Sequence, residues 1–591
     1  MSVLFLLFFN VLVWAAGEKL SYVKEPPQVY VAPKPANVTT LLDFIDSRED
    51  LSNLSQILRE PAGFVKAFDT APTWSFTFFA PSNEAFEHTG AYYSSFAATP
   101  KGKWWIGNLI NHHYIPNSKL TSSNFNSTLS RVQTASYLYI STIMDEGGQV
   151  KINNVATVTG PDNSVTSVTQ LLLVAVTFLG TCSDASVNDV PGIYGPLPVI
   201  AVSNVDNINP YLKRHPGDFA HPGLWHSHDD LERIRNNVLS NKEPWASTFA
   251  NFSTDAHSLS NYTMKGPYSV LSRGKISNYT SFASDSRAAW QNAMMWYITK
   301  DQAHWDRSTS ILDAWGSNLT GIIGTDRSLL IGLDGDLFVN AAEIMRWEGN
   351  WTEAGASWRG GTGFSNQLYW LFSRQAAVIG QANYGMVSIK SLLSFAVYLD
   401  DVTLYNYAMN AFINDPCAGV FAMYKPSTGQ SVESGRDQGT YHPLSALSSP
   451  DERSKLILMY EPGHTISGIA WTAYAARVAQ TQGVDLYKLG DNLLLKASEY
   501  SAAYNLNETV TYDPAWHRCE AVLVGAPWAT IAEYNRGISN ALPAWDILYY
   551  QYVVKRKLKA PWTTKAQSEE GPEGAVATND HPSWGGLIWA Y

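Results

Sequence analysis

The stretch ESGRDQG at residues 433–439 and the stretch GHTISG at residues 463–468 decide how the second half of this chain is interpreted. The first stretch brings an acid, an arginine, an amide and two glycines close together. The second places a histidine where a clean helical pattern begins. Removing residues 440–463 would join them as GRDQGHTISG, with a helix following at once. The two stretches are either one motif that residues 440–463 interrupt or two unrelated loops.

The intervening segment has two interpretations. It is either a surface loop over a cleft or a translated intron, because its sequence permits codons that begin with GT near Gly439 and end with AG near Pro462. We favour the intron, since the length suits a short intron that keeps the reading frame. If the segment is a genuine loop, Arg436 and His464 need not be neighbours.

From His215 onward the apolar residues recur with a helical period. Trp290, Met294 and Ile298 lie on one helical face, and the pattern breaks into a second helix at 300–301. Ser227 is predicted to cap the first helix of this region. Paired amphipathic helices without a fixed repeat predict a mainly helical (α/α) toroid or incomplete barrel rather than an α-solenoid.

The first half of the chain has a different pattern. WSFTFFAPSNEAF (74–86) predicts a strand that breaks into a helix, with Ser82 or Asn83 as its cap, and three later segments alternate as strands do. We predict an α+β domain at residues 35–180, a proline-containing linker at 181–214 and the helical domain at 215–591.

Three motifs of the first domain resemble the fasciclin (FAS1) family. They are FFAPSNEAF (78–86), HHYIP (112–116) and VKINN (150–154) with the apolar strand that follows. This resemblance implies an α+β module that is used for adhesion or matrix attachment, not for chemistry.

Several strings of the second domain resemble the alginate-lyase-type superfamily of polysaccharide lyases. They are HPGLWHSHDDLERIR (221–235), QANYG (381–385), ESGRDQG (433–439), GVDLY (483–487) and the terminal HPSWGGLIWAY (581–591). The resemblance implies an (α/α) barrel that cleaves uronate-containing polysaccharides by β-elimination. In this family the GRDQG run continues directly into a histidine and a helix, so the resemblance also implies that residues 433–439 and 463–468 are one interrupted motif. In that reaction the sugar carboxylate must be neutralised before its C5 proton can leave, and a base and an acid must be at hand.

Four residues are candidates for catalysis, each with a structural alternative. Asn383 would neutralise the carboxylate, or is an ordinary turn residue. Arg436 would bind the carboxylate bidentately, or pairs with Asp437 or Glu433. His464 would be the base or acid, or a satisfied core histidine. Tyr549 is our choice among many tyrosines.

Three further residues are predicted to bind substrate: Gln438, Asn340 and Arg536. Alternatively, Asn340 braces a helix, and Arg536 is a solvent-exposed charge on a loop. The family often has an arginine before its Pro-X-Trp string, where this chain has Leu542. That role is either lost here or passed to Arg536.

No cofactor and no metal are predicted. His226 and His228 have a metal-like spacing, but two aspartates follow at a helix start, which favours capping. Asp334 and Asp336 lack the full ligand run of a calcium loop. Three cysteines without CxxC spacing exclude a zinc site, and Cys417 with Cys519 is our candidate disulfide because both lie in the helical domain.

Composition bounds the possible partners. The formal net charge of −11 argues against nucleic acid, so the charge that attracts an anionic polysaccharide must be concentrated in a cleft. The aromatic content of 13% suits either stacking on sugar rings or a large helical core.

The chain carries the features of a secreted protein. Residues 1–17 are predicted to be a signal peptide, because a short apolar run ends in the small residues Ala15, Ala16 and Gly17. No later stretch has the length of a transmembrane helix. Glycosylation sequons begin at Asn37, Asn53, Asn126, Asn251, Asn261, Asn278, Asn318, Asn350 and Asn507.

These observations predict a secreted polyuronate lyase of the alginate or glucuronan type, whose fasciclin module contacts a cell wall or matrix. Two alternatives stay open. One is a non-catalytic glycan-binding or adhesion protein, and the interrupted motif favours it. The other is a glycoside hydrolase on the same toroid, which would need two suitably spaced acids.

Overall fold

The computed structural model describes two stretches of the chain. They are residues 34–174, apart from 35, 61–63, 72–74, 88–96, 99, 128–129, 137, 154–155 and 166–168, and residues 219–591, apart from 275–277, 355–362, 378, 416, 439–463, 517–527, 540–541 and 577. The predicted signal peptide and linker, and the intervening segment of the motif, lie outside the described residues. The predicted domain boundaries therefore stay predictions.

The first domain is a seven-stranded sheet covered by short helices. Its strands are β1 (Phe76–Pro81), β2 (Tyr114–Pro116), β3 (Ser130–Gln133), β4 (Tyr139–Met144), β5 (Val150–Ile152), β6 (Ala156–Ser164) and β7 (Thr169–Val174). The strand order is β2-β1-β7-β6-β5-β4-β3, with β1 and β7 parallel and the other pairs antiparallel. Its helices are α1 (Leu41–Asp46), α2 (Ser52–Arg59), α3 (Phe64–Phe68), α4 (Asn83–Glu87) and α5 (Pro100–His112).

Strand β1 lies between two cores, which explains its unbroken apolar sequence. Phe76 and Phe78 pack against the helices, and Phe79 points to the other face of the sheet. Ser82, one of the two predicted caps, directly precedes α4, and its hydroxyl oxygen accepts the N–H of Ala85 at 3.4 Å. Thr40 makes a capping box with Asp43 at α1.

The second domain is mainly helical. Its helices are α6 (His228–Leu239), α7 (Trp245–Thr254), α8 (Tyr279–Thr299), α9 (Gln302–Asn318), α10 (Arg327–Leu330), α11 (Asp336–Trp347), α12 (Phe364–Gln367), α13 (Ala382–Tyr398), α14 (Val402–Asn414), α15 (Val420–Met423), α16 (His464–Thr481), α17 (Leu489–Asn505), α18 (Trp545–Leu548), α19 (Pro561–Glu570) and α20 (Gly585–Ile588). Two short parallel strands, β8 (Val270–Ser272) and β9 (Gly321–Ile323), pair beside them.

Helix boundaries follow local sequence signals. Ser227 forms a capping box with Asp230 at the start of α6, as predicted. The predicted break between α8 and α9 is confirmed, because Lys300 ends α8 in a left-handed conformation (φ 61°) and Asp301 caps α9.

The helices close into a ring. Helices α8, α11, α13 and α16 pack side by side. Each of α8, α13 and α16 also packs against the helix that follows it in the chain. Helices α18, α20, α7 and α6 complete the circuit back to α8. Arg287 of α8 ties in the end of the chain, donating to the carbonyl oxygens of Thr578 at 2.8 Å and His581 at 3.1 Å. The predicted fold class, an α+β domain followed by a mainly helical one, is confirmed.

Two further features bear on the sequence predictions. Cys417 is disulfide-bonded. Cys519 lies outside the described residues, so the pairing of the two stays a prediction. No helix in the described part of the chain is long and apolar enough to cross a membrane.

Candidate active site

Helix α13 begins in a constrained turn that fixes Asn383. Ala382 has a left-handed φ of 46°, which costs a non-glycine residue roughly 1–2 kcal/mol, and its N–H donates to the carbonyl oxygen of Cys417 at 2.7 Å. Gly385 is needed for close packing, because a Cβ there would lie 2.3 Å from that of Ala418. Asn383 is buried and therefore held in one place.

Helix α16 begins at His464, which Asp437 holds from two sides. One carboxylate oxygen of Asp437 accepts the backbone N–H of His464 at 2.8 Å, and the other is bonded to its ring Nδ1. The hydroxyl of Thr465 donates to the carbonyl oxygen of Asp437 at 2.6 Å. With the Nδ1 proton donated to the carboxylate, Nε2 is left as an acceptor.

This contact answers the question raised by the interrupted motif. Asp437 and His464 stand 27 positions apart in the sequence, yet their side chains are bonded to each other. Asp437 and His464, which flank the intervening segment, therefore meet, and the halves of the motif form one site.

The third part of the site is the turn that carries Glu433 and Arg436. The backbone N–H of Arg436 donates to the carbonyl oxygen of Glu433 at 2.8 Å, and the guanidinium Nη1 lies 3.9 Å from the Glu433 carboxylate. Gly435 lies between them, and a Cβ there would lie 2.5 Å from both the Cβ of Trp528 and the hydroxyl of Tyr512. Only glycine fits this turn against its neighbours.

The carboxyl group of Glu433 lies at the centre of the site. Glu433 is 1% exposed, and its carboxyl group faces the Arg436 guanidinium at 3.9 Å and the backbone N–H of Asn383. Burial raises the pKa of Glu433 and Asp437 raises it further, while His464, Arg436 and the backbone N–H of Asn383 oppose the shift. The net pKa is raised, so the neutral acid persists to a higher pH than at an exposed glutamate.

The structure thus brings three of the predicted catalytic residues together. Asn383, Arg436 and His464 come from three separate segments, and all three act on the ionisation of Glu433. Asn383 also packs against α16 one turn beyond His464, because a Cβ on Gly468 would lie 3.2 Å from the Cβ of Asn383. The N-termini of α13 and α16 therefore face the same turn.

Glu433 is the functional residue that the sequence interpretation missed. It was considered only as a structural partner for Arg436. Its signal was its place at the head of the motif, but a sequence does not show that an acid is buried.

Gln438 is positioned differently from the prediction. Its Nε2 donates to the carbonyl oxygens of Ser434 at 2.9 Å and Ala532 at 3.0 Å, which uses both amide protons. The side chain therefore braces the motif, and substrate binding by Gln438 stays a prediction that this geometry does not favour.

Asn340 and Arg536 also brace the backbone. Asn340 accepts from the N–H of Trp225 at 3.2 Å and donates to the carbonyl oxygen of Asp336 at 2.8 Å. Arg536 donates to the carbonyl oxygen of Tyr504 at 2.8 Å and stacks on that ring at 3.9 Å. Neither side chain is directed to the cluster around Glu433, because its polar atoms are already engaged elsewhere.

Tyr549 is not brought to the cluster by any contact between described residues. Its ring packs edge-on against Tyr550, with the centroids 5.3 Å apart. Tyr384 is the tyrosine next to Asn383 in the chain, and its hydroxyl donates to the carbonyl oxygen of Thr325 at 3.3 Å. Burial raises the pKa of Tyr384 to about 12. This phenol keeps its proton at neutral pH.

The residues with metal-like spacing have separate surroundings. His228 is bonded to Glu348 at 2.9 Å, whereas His226 is buried, and burial lowers the pKa of His226 to about 3. Among the described residues, no group of three or more His, Cys, Asp or Glu is arranged to hold a metal ion.

Comparison with known protein families supports the predicted family of the first domain. Residues 49–171 match the sequence model of the fasciclin domain family. The chain therefore contains a fasciclin domain, as its motifs predicted. Among proteins with curated descriptions, none matches this sequence.

Solved structures with partial similarity include alginate lyases. Alginate lyase A1-III from Sphingomonas species A1 is 12% identical, with 61% of this chain and 95% of that chain covered and a TM-score of 0.42. An alginate lyase from Bacteroides ovatus is 10% identical over 48% of this chain and 84% of its own, with a TM-score of 0.34. A FAS1 domain pair from the insect cell adhesion molecule Fasciclin I is 12% identical, with 45% of this chain and 72% of that chain covered and a TM-score of 0.18. Since these TM-scores lie below 0.5, the proposal below is based on the residues of the site.

Proposed function

We propose that the helical domain is a polysaccharide lyase that cleaves uronate-containing chains by β-elimination. The observation that carries this proposal is the convergence of a guanidinium, an imidazole and a backbone N–H on one buried acid with a raised pKa: Arg436, His464 and Asn383 around Glu433. This set can meet the central requirement of the reaction, which is to neutralise a sugar carboxylate while its C5 proton is removed.

Neutralisation is the task of three donors. The Asn383 amide and the Arg436 guanidinium donate to the sugar carboxylate, and neutral Glu433 shares its proton with it. The negative charge that develops as the C5 proton leaves then lies among donors that are already fixed in place. Arg436 is the most exposed of the three, with 27% of its side chain accessible, so it can reach a ligand from the cleft.

Proton transfer is the task of His464 and a tyrosine. Asp437 accepts from Nδ1 of the imidazole, so Nε2 carries the lone pair that accepts a proton, which suits His464 as the base. The acid that protonates the leaving oxygen at C4 is a phenol. Tyr384 is our candidate because it adjoins Asn383 in the chain and holds its proton, whereas no contact between described residues places Tyr549 here.

The fasciclin domain would hold this enzyme on a cell wall or matrix outside the cell. Surface exposure of the sequons supports a secretory route, because eight of the nine asparagines are exposed. Asn278 is the exception, since its amide accepts from the N–H of Ser272 at 2.8 Å and donates to the carbonyl oxygen of Val270 at 2.9 Å.

One assay separates the lyase from both alternatives. Purified full-length protein is incubated with alginate, glucuronan and a neutral glucan, and both ultraviolet absorbance and new reducing ends are followed. Elimination creates a 4,5-unsaturated uronate that absorbs at about 235 nm, whereas hydrolysis gives reducing ends without this absorbance and mere binding gives neither. We expect absorbance to rise with at least one uronan and not with the glucan. Reducing ends without absorbance would overturn the proposal.

A further inference from the structure

Three aromatic side chains border the turn that carries Glu433 and Arg436. Tyr512 and Trp528 lie against Gly435, and the hydroxyl of Tyr512 donates to the carbonyl oxygen of Trp528 at 3.0 Å. Tyr534 follows in the same loop and is 65% exposed, the largest exposure among the big apolar side chains of the described residues. We call Tyr512, Trp528 and Tyr534 the aromatic rim.

The rim is joined to the site through the backbone. The N–H of Ala532 donates to the carbonyl oxygen of Ser434 at 2.9 Å, and the N–H of Gln438 donates to the carbonyl oxygen of Tyr534 at 3.1 Å. The Gln438 amide adds a bond to the carbonyl oxygen of Ala532 at 3.0 Å. Tyr534 is therefore held beside the motif at a fixed distance.

The far side of the same turn is fixed as well. The N–H of Arg536 closes the turn on the carbonyl oxygen of Glu533 at 3.1 Å, and its guanidinium reaches the carbonyl oxygens of Tyr504 and Glu508. The N–H of Gly537 donates to the side chain of Asn505 at 3.0 Å. A turn clamped on both sides thus presents the Tyr534 ring, which is 65% exposed.

We propose that the aromatic rim is a sugar-stacking subsite, with Tyr534 as its platform, for a uronan residue adjacent to the one that is cleaved. The proposal rests on the proposed function, because the rim borders the same turn. An aromatic ring packs on the apolar, C–H-rich face of a sugar ring and leaves the hydroxyl groups at the edge of the sugar in contact with water. Arg436 supplies the nearby positive charge for the carboxylate. One exposed ring is ordinary, but three rings around one polar motif define a surface.

Substitutions at Tyr534 distinguish the contribution of the stacking ring to binding from that of the hydroxyl. Tyr534→Ala removes the ring, Tyr534→Phe keeps it, and Leu239→Ala is a matched control because Leu239 is 60% exposed at the end of α6. Retention of each full-length variant is measured in the cold by electrophoresis through gels that contain alginate, glucuronan or a neutral glucan. Thermal unfolding of each variant checks the fold.

We expect Tyr534→Ala to weaken retention by the preferred uronan about three- to tenfold, which is the usual worth of one aromatic contact. Tyr534→Phe and Leu239→Ala should be retained like the wild type. In the elimination assay KM of Tyr534→Ala should rise by the same factor, with kcat little changed. This result would support the subsite even if no elimination product formed, because retention is measured without turnover.

Equal retention of Tyr534→Ala and wild type would overturn the subsite. So would a wild-type protein that no uronan retards. If elimination activity were present in either case, the proposed function would stand while the subsite failed.

Discussion

Glu433 shows how a single residue decides the chemistry of this site. A buried carboxyl whose guanidinium neighbour is as far as 3.9 Å away is unfavourable as an anion, so burial raises its pKa. Such an acid can donate a hydrogen bond to a sugar carboxylate at a pH where an exposed glutamate would repel it.

Substitution of Glu433 tests this role. Glu433→Gln keeps a neutral donor of the same size, so we expect kcat/KM within about tenfold of the wild type. Glu433→Ala leaves no donor, and we expect a loss of about 10²–10³-fold. Wild-type activity should fall as the pH rises through the raised pKa of Glu433, and this alkaline limb should be missing from Glu433→Gln.

A matched control is Glu353→Gln. Glu353 is also buried, with a pKa that burial raises, but it lies near Tyr398, at the other end of α13 from Asn383. That variant should keep the wild-type pH profile of kcat/KM. A Glu433→Gln variant as inactive as Glu433→Ala would contradict the donor role.

Other residues show what sequence cannot supply at this scale. Asn383, Arg436 and His464 could be found because the motifs resemble a known family and the residue types suit the reaction. Gln438, Asn340 and Arg536 have equally suitable side chains, but the structure uses them to bond backbone carbonyls and amides from distant segments. Such partners are set by tertiary packing.

At the scale of elements, the interrupted motif makes a specific prediction. The bond between Asp437 and His464 holds together the residues that flank the intervening segment. Deleting residues 440–463 joins Gly439 directly to His464, shortens a closed loop and removes no described contact. We therefore expect the deleted protein to fold with an equal or higher Tm, because closing a shorter loop costs less entropy.

Activity of the deletion variant completes this test. Elimination by it should equal or exceed that of the full chain. As a control, an unrelated flexible segment of the same length inserted in place of residues 440–463 should restore the properties of the full chain. Loss of folding or activity in the deletion variant would show that the segment itself contributes to the site.

The elements differ in how far their sequences determine them. The break at Lys300 and the cap at Ser227 could be predicted because the signals are local. The contact of Arg287 with carbonyl oxygens almost 300 positions away could not, because only tertiary packing brings the two segments together. No periodicity records such a contact.

At the scale of the whole molecule, buried acids make stability depend on pH. Asp546, Glu570 and Glu573 form a buried cluster near the end of the chain, where Glu570 accepts from the N–H of Ala544 at 3.0 Å and Glu573 from that of Gly585 at 3.0 Å. Burial raises the pKa of Asp546 to about 6, and burial together with mutual repulsion raises the pKa values of Glu570 and Glu573.

The sign of the effect follows from the raised pKa values. The folded state binds these protons more tightly than the unfolded state, so stability is greatest at low pH and is lost as the pH rises through the folded pKa. For Asp546 this window runs from about pH 4 to about pH 6, and its share between pH 5 and pH 7 is about 1 kcal/mol.

We expect Asp546→Asn to reduce the value of the Tm at pH 5 minus the Tm at pH 7, because the substitution removes the pH-dependent share of Asp546. Glu569→Gln is the matched control, because Glu569 is an exposed acid on α19 beside the buried Glu570. Differential scanning calorimetry at the two pH values measures both variants. A control that reduced the difference as much as Asp546→Asn would refute the assignment to the buried cluster.

The most direct test of the account is the initial rate of C5 proton removal with and without His464. Wild-type protein and His464→Gln are mixed with the preferred uronan, and the unsaturated product is followed at about 235 nm. We predict a steady rise with the wild type and a rate lower by about 10²–10⁴-fold with the folded variant. Equal rates in the two proteins, or a folded wild type that forms no unsaturated product from any uronan, would contradict the account.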